Sequence, residues 1–227
     1  MADTILLIGA SRGLGLGLAR EYLQRGWNVV ATVRDAAKAG ELRALSPQDG
    51  GSLRIETMDM AQPHTAAELA KRLAGTAFNV VFVVSGQSKN GAKPVHQADR
   101  DAVADEFLVN SYAPPVVAEM LLPVLAPHGT VVLMTSVLGS LARSQGGMEV
   151  YNASKAALNM FGIGFSKRHP ELRVLLMHPG WVRTDMGGEN APLDVGTSVK
   201  GMADTIRAQG RGKGVLFVDY SGVELPW

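Results

Sequence analysis

The chain contains no cysteine. Disulfides, thiolate nucleophiles and cysteine-ligated metal sites are therefore excluded, and the absence is compatible with a reducing compartment. Net charge is nearly absent as well: 22 basic and 21 acidic side chains leave +1. Such a balance gives no reason to expect nucleic acid or an acidic membrane as a partner. Apolar runs fall short of the roughly 20 residues that a membrane span needs. The start, Met1-Ala2-Asp3-Thr4, lacks the basic segment of a signal peptide. The five histidines, at 64, 96, 128, 169 and 178, have no metal-binding spacing and read as surface or loop residues. A soluble cytoplasmic protein without metal or membrane association is expected.

What is present is a globular composition. Of 227 residues, 46% are hydrophobic and 19% charged, with no repeat, linker or low-complexity tract. This length suits one domain, 1–227. Apolar runs of strand length occur at 4–8, 28–33, 53–58, 79–84, 129–135, 172–177 and 214–219. Helical patterns separate them, at 16–25, 36–45, 63–73, 102–124, the segment that carries Tyr151, and 202–208, with a loop at 46–51. The segment 102–124 is expected to break at Pro114-Pro115. Alternation of this kind predicts an α/β fold: a doubly wound, seven-stranded parallel sheet with helices on both faces.

Tyr151 and Lys155 stand four residues apart. On a helix such positions share a face, with Cβ atoms roughly 5–6 Å apart. An ammonium held there favours the phenolate and lowers the tyrosine pKa towards neutrality. A phenol so tuned gives a proton to a carbonyl oxygen or takes one from an alcohol. The same spacing also occurs on plain exposed helix faces, so the pair gains meaning from its company.

The first strand runs directly into Gly9-Ala10-Ser11-Arg12-Gly13-Leu14-Gly15 and then a helix. Glycines there allow a tight turn and let a pyrophosphate approach the helix N-terminus. At the end of the second strand, Arg34 offers a planar fork to a ribose 2′-phosphate, with Arg12 as a second cation. A salt bridge between Arg34 and Asp35 is the competing reading. Asp59, with Met60 after the third strand, either accepts from an adenine amino group or caps the following helix. Ser85-Gly86 follows the fourth strand. Asn110 either bonds its own backbone or marks a kink that opens a water site. Ser136 ends the fifth strand, on the side where open α/β sheets bind ligands. Residues 187–201 are polar and irregular, and 183–201 is a candidate substrate lid.

Taken together, these residues resemble the short-chain dehydrogenase/reductase family over essentially the whole chain. Gly9, Gly13 and Gly15 match its cofactor turn. Asn110, Ser136, Tyr151 and Lys155 match its catalytic tetrad in order, and Pro179-Gly180 with Thr184 match its motif beside the nicotinamide. Within the family, 31–35, 178–188 and the Leu-Pro-Trp ending resemble the group of the C-factor signalling protein and the sniffer carbonyl reductase. The resemblance implies NADP(H), with NAD(H) less favoured, and cofactor contacts at Gly9, Ser11, Arg12, Gly13, Leu14 and Gly15. Further contacts are implied at Arg34, Asp59, Met60, Ser85 and Gly86, and at Tyr151, Lys155, Pro179, Gly180, Val182 and Thr184. It implies hydride transfer with a small carbonyl or alcohol, Tyr151 moving the proton, Ser136 steadying the oxygen, Lys155 holding the ribose and Asn110 holding a water. A homodimer or homotetramer through the helices of Asn110 and Tyr151 is implied too.

One departure stands out. The family's Asn-Asn-Ala-Gly is here Val83-Val84-Ser85-Gly86. The glycine survives while the bracing asparagines are gone, which bears on cofactor binding rather than on the fold. The alternative function is a dinucleotide-binding regulatory or signalling protein with little turnover. A sugar-nucleotide epimerase of the extended type would need a substrate domain for which no residues remain.

Overall fold

The computed structural model describes residues 2–45 and 51–227. The loop expected at 46–51 lies outside the described residues, apart from Gly51. Seven strands form one parallel sheet: β1 Thr4–Ile8, β2 Asn28–Val33, β3 Leu53–Thr57, β4 Phe78–Val83, β5 Leu125–Met134, β6 Arg173–His178 and β7 Gly214–Asp219. Their order is β3-β2-β1-β4-β5-β6-β7. It reverses direction between β1 and β4, and a crevice opens at such a switch, outside the carboxyl ends of the strands.

The strands are apolar on both faces because both faces are covered. Along β1, Ile5 and Leu7 face one core, while Leu6 and Ile8 face the other. This is the period-2 alternation of a pleated strand. On the first face pack α1, Gly13–Gln24, and α7, Val195–Gln209. On the second pack α3, Ala66–Arg72, α5, Ala113–Leu121, and α6, Glu149–Arg168. Two further α-helices stand among the described residues, α2 at Gly40–Arg43 and α4 at Arg100–Phe107.

Four sequence expectations are corrected. Helix 36–45 is a 3₁₀ turn, Ala36–Lys38, then the single turn α2. Pro114-Pro115 does not break the long helix. The irregularity lies one turn earlier, where Leu108–Tyr112 widens into a π turn whose Leu108 carbonyl accepts from the Ala113 amide. Prolines lack the N–H groups that Asn110 and Ser111 carbonyls would need four residues on, so the register slips before them. The helix expected at 202–208 begins instead at Val195. The Asp194 carboxylate accepts from Thr197 N at 2.7 Å, and Ser198, Val199, Met202 and Ile206 are buried. The irregular part of the candidate lid is therefore 183–194. The helical run Arg100–Val124 is also, by length and composition, apolar enough to cross a bilayer. In the fold its apolar residues Val109, Ala113, Val117 and Leu121 belong to the core over the sheet.

The start of α1 shows why glycine is required near the site. A Cβ on Gly15 would stand 2.1 Å from the Gly9 carbonyl oxygen and 2.8 Å from Ala10 Cα. At Gly13 the nearest side chain, Thr184, is 3.7 Å away, and the constraint is a φ of +54°. Gly15→Ala should therefore destabilise by about 3 kcal/mol or more through backbone overpacking, a Tm loss on the order of 10 °C at this chain length. Gly13→Ala should cost only about 1 kcal/mol. Thermal unfolding of the two variants checks the contrast; an unchanged Tm for Gly15→Ala would refute the packing account.

Candidate active site

The carboxyl ends of β1, β4, β5 and β6 bring the expected residues together. Ser136 follows β5, is buried, and accepts from Leu138 N at 3.2 Å. Gly139, in the turn that follows, lies directly on α6: a Cβ there would be 2.8 Å from the Lys155 carbonyl carbon. This contact sets the Ser136 turn against the helix that carries Tyr151 and Lys155. Lys155 is 2% exposed, and its ammonium donates to the Met134 carbonyl at 2.9 Å. Tyr151 is half-buried, its ring centroid 5.8 Å from Lys155 Nζ.

Asn110 sits in the π turn, fully buried. Its carboxamide accepts from Gln87 N at 2.9 Å and donates to Gln87 O at 2.7 Å. It also donates to Ser154 Oγ at 3.1 Å. So Asn110 bonds a neighbouring segment rather than its own backbone, and it ties the loop after β4 to α6. Ser111 adds a second tie, donating to the Ser154 carbonyl at 2.7 Å. Gln87, Ser111 and Ser154 carried no sequence signal, because their contacts join segments far apart in the chain.

The expected tuning of Tyr151 is not what the structure holds. Burial pushes its phenol up to about 12, Ser136 opposes this through a hydrogen bond, and the Glu106 carboxylate adds to the rise. The Lys155 ammonium itself is turned inward to Met134 O. Burial lowers Lys155 itself to about 8, with Glu106 working against the fall.

The glycine turn faces this group. Gly9 has φ +94°, and a side chain there would strike Ser85 Oγ, which lies 2.0 Å from the Cβ position. Ser85 N and Oγ donate to the Ile8 carbonyl at 3.2 and 3.3 Å. The stretch that lacks the bracing asparagines is thus braced through Ser85 and Gln87. At Gly86, a Cβ would stand 3.3 Å from Lys155 Nζ and 3.5 Å from Asn110 Oδ1. Arg12 precedes α1 with no side-chain cap on the helix, Ser11 is half-exposed, and Leu14 packs against the core.

Arg34 is exposed at the end of β2 and enters no ion pair among the described residues. The competing bridge to Asp35 does not form, since Asp35 accepts from Ala37 N at 2.9 Å. Arg12 instead pairs with Asp185 at 2.6 Å, both side chains being 77% exposed. Asp59 accepts from Ala61 N at 3.0 Å, closing the turn after β3; it does not cap α3, which starts at Ala66. The Met60 side chain is core, so only its backbone is left to face a ligand.

After β6, the Pro179 carbonyl accepts from Ser198 Oγ at 2.7 Å, and Gly180 has φ +86° against Leu193 and Tyr220. Val182 is buried and bridges to Leu193. Thr184 comes within 3.7 Å of the Gly13 Cβ position. The segment therefore folds back over the glycine turn, with Thr184 above Gly13 and Asp185 on Arg12.

His178 is not a loop residue. It ends β6, pairs in register with Asp219, and burial lowers it to about 4. A histidine whose folded pKa lies below its usual 6.5 binds more protons when unfolded, so stability falls as pH drops from about 6.5 towards 4. The full swing is about 3 kcal/mol. Urea unfolding between pH 7 and 4 should show it, and His178→Asn should flatten that part of the curve; an unflattened curve would count against the assignment.

A surface cavity of about 540 Å³ opens near Asp3 and Asn79, at the amino ends of the strands, away from the tetrad. Among the described residues, no group of three or more His, Asp or Glu is placed to hold a metal.

Comparison with known proteins agrees with this fold. A putative short-chain dehydrogenase/reductase from Burkholderia multivorans, solved with bound NADP, is 38% identical over all of both chains, with a TM-score of 0.93. The carbonyl reductase Sniffer of D. melanogaster is 29% identical, with a TM-score of 0.86 over all of both chains. C-signal of Myxococcus xanthus is 40% identical over 130 residues, 55% of this chain and 78% of that protein. The family model described as short chain dehydrogenase matches residues 3–193. With that match over most of its length and the fold to go with it, the chain belongs to the short chain dehydrogenase family.

Proposed function

We propose that the protein is an NADPH-dependent oxidoreductase acting on small, apolar carbonyl substrates, in the reducing direction. The observation that carries this reading is the convergence of Asn110, Ser136, Tyr151 and Lys155 at the strand ends beside the glycine turn. Residues suited to the cofactor are Gly9 to Gly15 for the pyrophosphate, Arg34 and Arg12 for the 2′-phosphate, and Lys155 for the nicotinamide ribose. Pro179, Gly180, Val182 and Thr184 complete the set. The fit rests on the glycine turn that opens α1, with Gly13 at φ +54°, and on Arg34, which enters no ion pair among the described residues. When bound, the nicotinamide supplies the hydride.

Tyr151 hydrogen-bonds the substrate oxygen and gives it a proton. A phenol held up near 12 keeps its proton at neutral pH and passes it to a developing alkoxide, which is the stronger base. Ser136 donates to the same oxygen and steadies the charge that grows there. Lys155 places a positive charge below the phenol ring. Asn110 fixes the loop after β4 against α6, which holds Lys155 in line. Leu138, Leu141, Trp181 and Met186 are exposed on the loops after β5 and β6, and they favour an apolar substrate. Self-association through the helical segments of Asn110 and Tyr151, where Tyr112, Met160 and Phe161 are exposed, and a cytoplasmic location belong to the same reading.

The test is loss of reduced nicotinamide when purified protein meets NADPH or NADH and a panel of aldehydes, ketones and quinones. Turnover that prefers NADPH supports the proposal. Saturable cofactor binding with no turnover on any member favours a regulatory protein instead, the reading suggested by the likeness to C-signal. Light scattering reports the oligomeric state.

A further inference from the structure

Among the described residues only two formally charged side chains are buried, Glu106 at 0% exposure and Lys155 at 2%. They carry opposite signs. Glu106 lies in the last turn of α4, four residues before Asn110. One of its oxygens accepts from Lys89 N at 3.0 Å, Asn90 N at 3.4 Å and Asn90 Nδ2 at 3.3 Å. The other is buried without a partner. Lys155, for its part, bonds only a carbonyl. A buried carboxylate and a buried ammonium are each costly alone, and in the interior the field of one reaches the other with little screening.

We propose that Glu106 is the counter-charge of Lys155, a positioning residue that keeps the ammonium charged inside the proton-transfer site. It acts through Lys155 and touches neither substrate nor cofactor. The remaining charged groups around it are otherwise engaged. Asp105, on the same helix, holds Lys89 at the surface and feels Arg34. Glu149, at the start of α6, accepts from Val95 N at 2.8 Å. Tyr151 and Lys155 are the groups on α6 that feel Glu106. Burial lowers the Lys155 ammonium, and Glu106 opposes that fall.

The inference deepens the reductase reading where Lys155 must be charged for turnover, yet it can be tested without turnover. Glu106→Gln keeps an acceptor for the Lys89 and Asn90 amides and removes the charge. Glu106→Asp keeps the charge on a shorter arm. Nitrogen NMR of isotope-labelled lysine, with unfolding curves to show that each variant is folded, follows the Lys155 ammonium against pH. In Glu106→Gln its midpoint should fall by about one pH unit, and in Glu106→Asp it should stay close to the native value. With an active substrate, the alkaline limb of kcat/KM should move down by the same amount in Glu106→Gln. A purely structural Glu106 would lower stability in both variants and leave the Lys155 midpoint where it is. An unmoved midpoint in Glu106→Gln, or an equal fall in Glu106→Asp, overturns the proposal. Absence of turnover in the native protein overturns the reductase reading instead and leaves the NMR result standing.

Discussion

Replacement of Tyr151 by Phe should lower kcat by about 10²- to 10⁴-fold, the usual contribution of a positioned proton donor. NADPH binding should stay within a few-fold, because the ring and its place over Lys155 survive. The expectation rests on the phenol being the titratable group beside Ser136, with its proton held by burial. No other acid stands ready to replace it, since Lys155 is turned to the Met134 carbonyl. Single-turnover measurements with a saturating substrate separate this loss of chemistry from a loss of binding. Turnover that survives in Tyr151→Phe would mean that proton delivery follows another route.

Arg34→Glu should weaken NADPH binding by roughly 10- to 100-fold and leave NADH within a few-fold. A hydrogen bond to a charged partner contributes about 1.5–3 kcal/mol, and a planar guanidinium can make two to one phosphate. The effect is expected here because Arg34 has no ion-pair partner to leave among the described residues. Arg12 differs. It is already paired with Asp185, and an exposed pair of that kind is worth about 0–1 kcal/mol. Asp185→Asn should therefore change cofactor binding far less than Arg34→Glu does. Titration by nucleotide fluorescence decides both, and equal affinities for NADPH in native protein and Arg34→Glu would refute the role of Arg34.

The structure also revises how the tetrad is held. The lost asparagines of the stretch after β4 point to a loosened centre, yet Ser85 and Gln87 supply the ties. Gly86 keeps the gap between Lys155 and Asn110 open. The departure thus leaves the loop after β4 tied to β1 and to Asn110.

The amino-acid sequence by itself determined the sheet and much of the site. Strand residues 4–8, 28–33 and 214–219 were legible because each is a short apolar run, and burial on both faces leaves no polar alternation to read. Gly15, Tyr151 and Lys155 were legible because their constraints are local: a turn that excludes Cβ, and one helical turn that joins two side chains. The tertiary structure decided what depends on contacts across long sequence separations. It buried Glu106 beside the helix of Lys155 and placed His178 against Asp219. It also enclosed the Tyr151 phenol, so that burial raises its pKa rather than leaving it to fall. The π turn at Asn110 is the intermediate case: its cause, two prolines without N–H groups, stands in the sequence, but the slip falls one turn earlier. Electrostatics followed the same division, since a side chain's neighbours along the chain are read from spacing, while its desolvation depends on which distant segments enclose it.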